Sequence, residues 1–282
     1  WDLAMALAVF LLVRRVGWED RGRRALHDCV LASASIQALV VLGGSLAPGT
    51  ARAVARWGLL NSNHEAAYLG LGVLLAAPGL LHETGRAKRL RGAGVLLCLA
   101  AFALLASRGA LLGLVAGSLV LASMEWKALS SRARRAVIVL PAVVVAASLA
   151  PLLHRFTAAG DPFPYERSRI WAADLRCLSG DPLLGAGPGI FAHVSQRFNF
   201  PLEGPVRYER RFTTPHSDAL GLLAETGMAG FAAGVFLLIG TLALLRRHAG
   251  ESRRLGPPLL FAFTALAVQG LVEDLSHRPA IL

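Results

Sequence analysis

Charge is scarce in this chain: 17% of its 282 residues are Asp, Glu, Lys or Arg, against 55% apolar. A soluble domain of that length has no need of seven or eight separate apolar runs, each near the roughly 17–25 residues that cross hydrocarbon. Cysteine is scarcer still. Cys29 and Cys98 lie in apolar runs and Cys177 in a polar stretch, far apart, so neither a disulfide framework nor a thiolate metal cluster is on offer. Two His-Glu pairs also fall short of a zinc site. His64-Glu65 would need a second histidine where Tyr68 stands, and His82-Glu83 fails likewise. Acidic residues number 18 against 29 basic, a net charge of +11. In a soluble protein that excess would suggest nucleic acid. Here 17 of the 29 basic residues sit in four short loops, at 14–27, 82–91, 127–135 and 246–254. That is the positive-inside pattern, so no nucleic-acid partner is expected.

What is present reads as an all-α, polytopic membrane protein with about eight transmembrane helices. The spans fall near 3–13 (the tail of one), 29–46, 66–81, 92–107, 109–124, 136–153, 220–245 and 258–272. A short interfacial helix is expected before Asn63. Alternation places the four basic loops in the cytoplasm and the long loop 154–216 outside, with eight arginines that do not count against it, since long translocated loops escape the charge rule. No internal repeat or low-complexity linker divides the chain, so residues 1–282 are expected to form a single membrane domain. The chain opens on Trp1 and enters an apolar run at once. The expectation is a fragment lacking N-terminal helices, because a cleaved signal peptide would put the mature start inside a hydrophobic span.

Polar residues in three places call for a reason. Arg108, in ASRGALLGL, joins two apolar segments with almost no loop between them. It either snorkels from a tight outer turn or faces a polar cavity that holds an anion. Asn61, Asn63, His64 and Glu65 stand at the entrance of the third span, where the asparagines either cap the helix or line a cavity. The long loop is the third. If 167–179 is helical, Arg169 and Arg176 share one face and Trp171, Leu175 and Leu178 cover the opposite one, as in a helix lying on the bilayer surface. The bend GAGPG at 185–189 offers backbone N–H groups that can cradle phosphate, though it is not a Walker sequence. Arg207, Arg210 and Arg211 form a basic cluster that suits a membrane surface as well as a substrate. His216 follows Thr214-Pro215, with Ser217 and Asp218 as natural N-cap groups. A helix start favours neutral imidazole, which accepts a proton from a hydroxyl; the bland alternative is an interfacial cap. Glu225 lies on the face of Asp218, just before Gly227 and Gly230, where it either orients a partner or binds a polar substrate.

Four ordered blocks carry a resemblance. LLNSNHEAAYLGLGV, LLASRGALLGLVAG, RSRIWAADLRCLSGDPLLGAGPGIF and TPHSDALGLLAETGMAG together resemble the O-antigen ligase/polymerase superfamily of bacterial envelope glycosyltransferases. The resemblance implies a C-type glycosyltransferase of the bacterial inner membrane with its active site facing the periplasm. Such an enzyme takes glycan from an undecaprenyl-diphosphate carrier and passes it, with inversion, to an acceptor hydroxyl on glycan, lipid A-core or protein. Membrane lipids surround it, and no cofactor or metal is implied. The absence of an Asp-x-Asp motif agrees with that. By position, Arg108 and Arg169 match the family arginines expected to hold the diphosphate, His216 the histidine expected to activate the acceptor, and Glu225 the acidic residue of the same segment. Arg176, Arg207, Arg210, Arg211 and Asn63 are then expected on the substrate side. Ser217 departs from the asparagine that often follows the family histidine, which weakens any choice of subfamily. Protein O-oligosaccharyltransferase is the nearest alternative activity, and an anion transporter with the same arginines along its path is the non-enzymatic one.

Overall fold

Each apolar run that the structure describes is helical, and no strand occurs among the described residues. The structure, a computed structural model, describes residues 20–46, 61–127, 129–131, 134–135, 138–139, 142–147, 167–198, 214–251 and 256–275. In chain order the helices are α1 (Asp20–Leu46), α2 (Ser62–His82), α3 (Gly85–Leu105), α4 (Arg108–Glu125), α5 (Arg167–Cys177), α6 (Phe191–Val194), α7 (Asp218–Glu251) and α8 (Gly256–Gly270). A 3₁₀ turn, Ser195–Phe198, continues α6.

Among the described residues four helical stretches are long and apolar enough to cross a membrane: Ala25–Leu46, Ser62–Leu81, Arg108–Glu125 and Asp218–Arg247. α8 is apolar but shorter, over Pro257–Gly270. α3 begins earlier than its apolar run and takes Arg86, Lys88, Arg89 and Arg91 into its first turns. The expected first span and interfacial helix lie outside the described residues. So does most of the sixth span, of which 142–147 is helical with Val144 in the core.

Caps explain why the helices start where they do. Asn61 accepts the N–H of Asn63 at 2.9 Å, satisfying a donor that the first turn of α2 leaves orphaned. Ser107 does the same for α4 through the N–H of Ala110, immediately after Ala106 ends α3 in a left-handed conformation (φ 48°). Two residues thus suffice to turn the chain between α3 and α4. At the other end of the bundle Arg91 pairs with Asp28 and Glu83, tying α1 to the α2–α3 connection.

The core is built from Leu69, Leu74, Cys98, Phe102, Leu114 and Phe261 with their neighbours on α1–α4 and α8. Gly113 and Gly117, one turn apart on α4, let α8 approach closely. A Cβ on Gly117 would stand 2.8 Å from the carbonyl oxygen of Phe261 and 2.7 Å from a Leu74 methyl group. Small residues at such a seam are how helices associate where lipid removes the hydrophobic drive. α7 keeps its own apolar surface outward: Phe236, Leu237 and Ile239 are all more than half exposed. In water that face would be a liability; against lipid tails it is the expected surface.

The seventh span is not one continuous helix. α7 is broken at Gly227, whose φ of 63° and ψ of −168° no other residue adopts comfortably. The break frees backbone groups on both sides, and the loop after α5 satisfies them. Ala186 and Gly187 donate to the carbonyls of Ala224 and Glu225 at 2.9 and 2.8 Å, while Met228 and Ala229 donate to those of Pro182 and Leu183 at 3.0 and 3.1 Å. Contact this close requires glycine on each strand of chain. A Cβ on Gly185 would lie 2.6 Å from the Glu225 carbonyl carbon, and one on Gly227 would overlap the Leu183 carbonyl.

Candidate active site

The N-termini of α2, α4 and α7 converge at one end of the bundle, around the turn that follows α8. Each brings a polar residue that an apolar bundle does not hold without partners. Asn63, in the first turn of α2, donates from Nδ2 to Glu273 Oε2 at 2.9 Å, and its carbonyl accepts from Gln269 Nε2 at 3.1 Å. His64 Nε2 lies 3.0 Å from the carbonyl oxygen of Asp274. A carbonyl only accepts, so this ring nitrogen carries a proton. Glu65 is buried and accepts from Gln37. Arg108 opens α4, partly exposed, and Gly109 beside it packs directly on the Glu273 side chain.

α7 is strapped to the same turn. Ser217 Oγ donates to the Leu271 carbonyl at 2.9 Å and accepts the Leu220 N–H at 3.2 Å, which makes it the N-cap. Asp218 donates its N–H to the Glu273 carbonyl and accepts the Leu275 N–H, both at 3.1 Å. Immediately before this strap His216 takes a left-handed conformation (φ 52°), strained for a residue with a side chain. Its Nδ1 comes to 3.8 Å from Asp274 Oδ1. The imidazole is one-third exposed, whereas the Asp274 side chain is 3% exposed and its second oxygen, Oδ2, has no hydrogen-bond partner.

The glycine bend does not form a free phosphate cradle. Gly185 donates to the Asp181 carbonyl, and Ala186 and Gly187 donate to α7, so those three N–H groups are spent on the docking described above. Glu225 belongs to the same joint. It is buried and accepts the Phe191 N–H at 3.2 Å, holding the start of α6. Asp218 and Glu225 therefore serve different contacts.

α5 is helical over Arg167–Cys177. Its buried stripe is Ala173, Asp174 and Cys177, the last packed on Phe191 and Ala224, while Leu175 is 53% exposed. Arg176 is exposed. Arg169 stands in the first turn of α5, its side chain outside the described residues; Arg207, Arg210 and Arg211 lie outside them altogether. Burial without a partner pushes the Asp174 carboxyl up to about 8. Burial, then the Asp174 charge, pushes the Cys177 thiol up to about 11.

Residues 93–235, just over half of the chain, match the family model of O-antigen ligase. The protein belongs to the O-antigen ligase family. No curated protein matches the chain. The match runs from α3 into α7 and takes in Arg108, α5, the glycine bend, His216 and Glu225. Family membership implies O-antigen ligase- or polymerase-type function in general terms, with a lipid-linked glycan and an acceptor as substrates. Asn63, Glu273 and Asp274 lie outside the matched stretch, and it is the fold that brings them to His216 and Arg108. Sequence reasoning missed Glu273 and Asp274. The signal was there: two adjacent carboxylates directly after an apolar helix, in a chain with 18 acidic residues. Among the described residues no His, Cys, Asp and Glu set is arranged to hold a metal ion.

Proposed function

We propose that this O-antigen ligase family member transfers glycan from undecaprenyl diphosphate to an acceptor hydroxyl at the outer face of the bacterial inner membrane. The observation that carries the reading is the pairing of His216, partly open to solvent, with the enclosed carboxylate of Asp274, beside the helix start that carries Arg108.

The chemistry follows from that arrangement. The acceptor oxygen attacks the anomeric carbon while the bond from that carbon to the diphosphate oxygen breaks, inverting the centre. The acceptor proton passes to Nε2 of His216, and the leaving diphosphate keeps the bonding electrons. Asp274 faces the other ring nitrogen at a distance that suits an ion pair more than a hydrogen bond. A buried carboxylate with one unpartnered oxygen gains most when positive charge forms next to it, so the pair stabilises imidazolium and not resting imidazole. Arg108 and Arg169 hold the diphosphate and meet the charge that develops on it. Arg176 and the Arg207, Arg210, Arg211 group attract headgroups or donor glycan at the surface.

The test is reconstitution. Purified full-length protein is incubated with undecaprenyl-diphosphate oligosaccharide and, in parallel, glycan, lipid A-core or peptide acceptors, and products are resolved by mass. Glycan transfer with release of undecaprenyl diphosphate is expected with glycan or lipid A-core. Transfer to peptide alone would make the protein an O-oligosaccharyltransferase, and absence of transfer to every acceptor would refute the reading.

A further inference from the structure

We infer that Glu273 is a positioning residue for this reaction, tying together the helix starts that carry Asn63, Arg108 and His216. The inference rests on the roles proposed above for Arg108 and His216. Glu273 is 2% exposed, so substrate does not reach its carboxylate, and a buried carboxylate is retained only where partners compensate its desolvation. Its partners come from different helices. Oε2 accepts Asn63 Nδ2 of α2 at 2.9 Å, and the Glu273 carbonyl accepts the N–H of Asp218, the first residue of α7, at 3.1 Å. α4 is held by shape. A Cβ on Gly109 would stand 2.7 Å from Glu273 Cγ and 3.4 Å from its Oε1.

Gly109 follows Arg108 directly, and Asp274 follows Glu273 directly. A shift of the Glu273 side chain therefore bears on the backbone turn that sets Arg108, and a shift of its main chain bears on the carboxylate that faces His216. Glu273 thus bears on both. Its carboxylate also lies by the first turn of α4, where the helix dipole favours negative charge. Since Glu273 lies outside the stretch that matches the family, the tie follows from the packing of this chain.

The test is a double-mutant cycle on the full-length protein, reading kcat and donor KM of glycan transfer separately. Glu273→Ala is expected to lower kcat by about 10²-fold, the scale of an ångström-sized misplacement, with a smaller change in KM. Glu273→Gln keeps an oxygen for Asn63 and is expected to recover at least ~10-fold of that loss. Gly109→Ala, which displaces the Glu273 side chain, is expected to lower kcat in the wild type and to cost less in Glu273→Ala, where the closest obstruction is gone and only the Val272 methyl group, 3.2 Å from a Cβ at 109, remains. Losses that simply multiply in the double variant would overturn the inference, as would a folded Glu273→Ala protein with wild-type kcat. If Glu273→Ala does not fold, the cycle is run with Asn63→Ala, which unties the Glu273 carboxylate from α2 and lets its side chain yield to a Cβ at residue 109. Gly109→Ala must then cost less than in the wild type, and an equal cost overturns the tie. His216→Ala, assayed alongside, separates the two failures: if it transfers at the wild-type rate, the reaction reading falls, and this inference with it. If it is inactive while the cycle is additive, only the positioning role falls.

Discussion

Asp174 gives the most quantitative prediction. Its carboxyl is buried between α5 and the elements packed on it, with both oxygens lacking a hydrogen-bond partner and the indole N–H of Trp171, one turn earlier, equally unpartnered. At this joint α7 brings Glu225, which adds no positive charge, and α6 and the 3₁₀ turn bring His193 and Arg197. Burial raises the folded-state value from 3.8 to about 8. Between those values the folded protein holds one proton that the unfolded chain has lost, so this group makes stability fall by about 1.4 kcal/mol per pH unit. The stabilisation is fully present below about pH 4, declines up to about pH 8 and is flat above it. Any residual solvent screening narrows that window without changing the slope inside it. Asp174→Asn keeps the shape and removes the titration. The assay is thermal unfolding of the purified wild type and variant from pH 4.5 to 9, read as a difference so that other titrating groups cancel. At about 2–4 °C per kcal/mol for a chain of this size, the Tm of the variant relative to wild type should climb by roughly 4 °C per pH unit up to about pH 8 and then level. Parallel Tm profiles across the whole range would refute the buried, neutral carboxyl.

Three further outcomes are expected. His216→Ala should reduce single-turnover transfer by about 10²–10⁴-fold while donor binding stays near wild type, and Arg108→Ala should weaken donor binding as well as turnover; a His216→Ala protein that transfers at the wild-type rate removes the base assignment. Arg169→Lys should impair turnover more than Arg176→Lys, because a diphosphate calls for the planar two-pronged donor and a headgroup contact accepts a point charge; equal mild losses would make α5 an anchor only. Gly227→Ala should cost about 1–3 kcal/mol in backbone strain alone, before its overlap with Leu183 is counted, and release the loop after α5 from α7. Faster proteolysis around Leu183–Leu184 would report that release, and an unchanged cleavage rate would show that the joint tolerates a side chain.

The parts of this protein that were legible in the sequence are those fixed locally. Run length and caps identify α2, α4 and α7, and the Thr-Pro-His-Ser-Asp stretch announces a helix start, with Ser217 capping it as anticipated. What escaped is pairwise and distant. Gly185 and Gly227 each read alone as loop or packing glycines; only their contact explains why both must lack a side chain. Gly227 sits inside an apolar run whose hydropathy continues on both sides, so the run length that finds a span also conceals its break.

The Glu273-Asp274 pair shows the same limit at the site itself. Two acids after an apolar helix read as its solvated end, yet both are nearly inaccessible, since the first turn of α7 closes over them through Ser217 and Asp218. That closure accounts for the conformation of His216. A left-handed backbone at a residue with a side chain costs about 1–2 kcal/mol, and it persists only where its surroundings leave no alternative. Here residues 217 and 218 are pinned to the turn after α8 by three hydrogen bonds, Ser217 to Leu271, Asp218 to Glu273 and Leu275 to Asp218, while Ser217 also caps α7 through the Leu220 N–H. The chain has to reverse direction just before that pinned turn, and residue 216 is where it does so. The imidazole is thereby held towards Asp274 on one side with a third of its surface left open, the placement a proton acceptor needs.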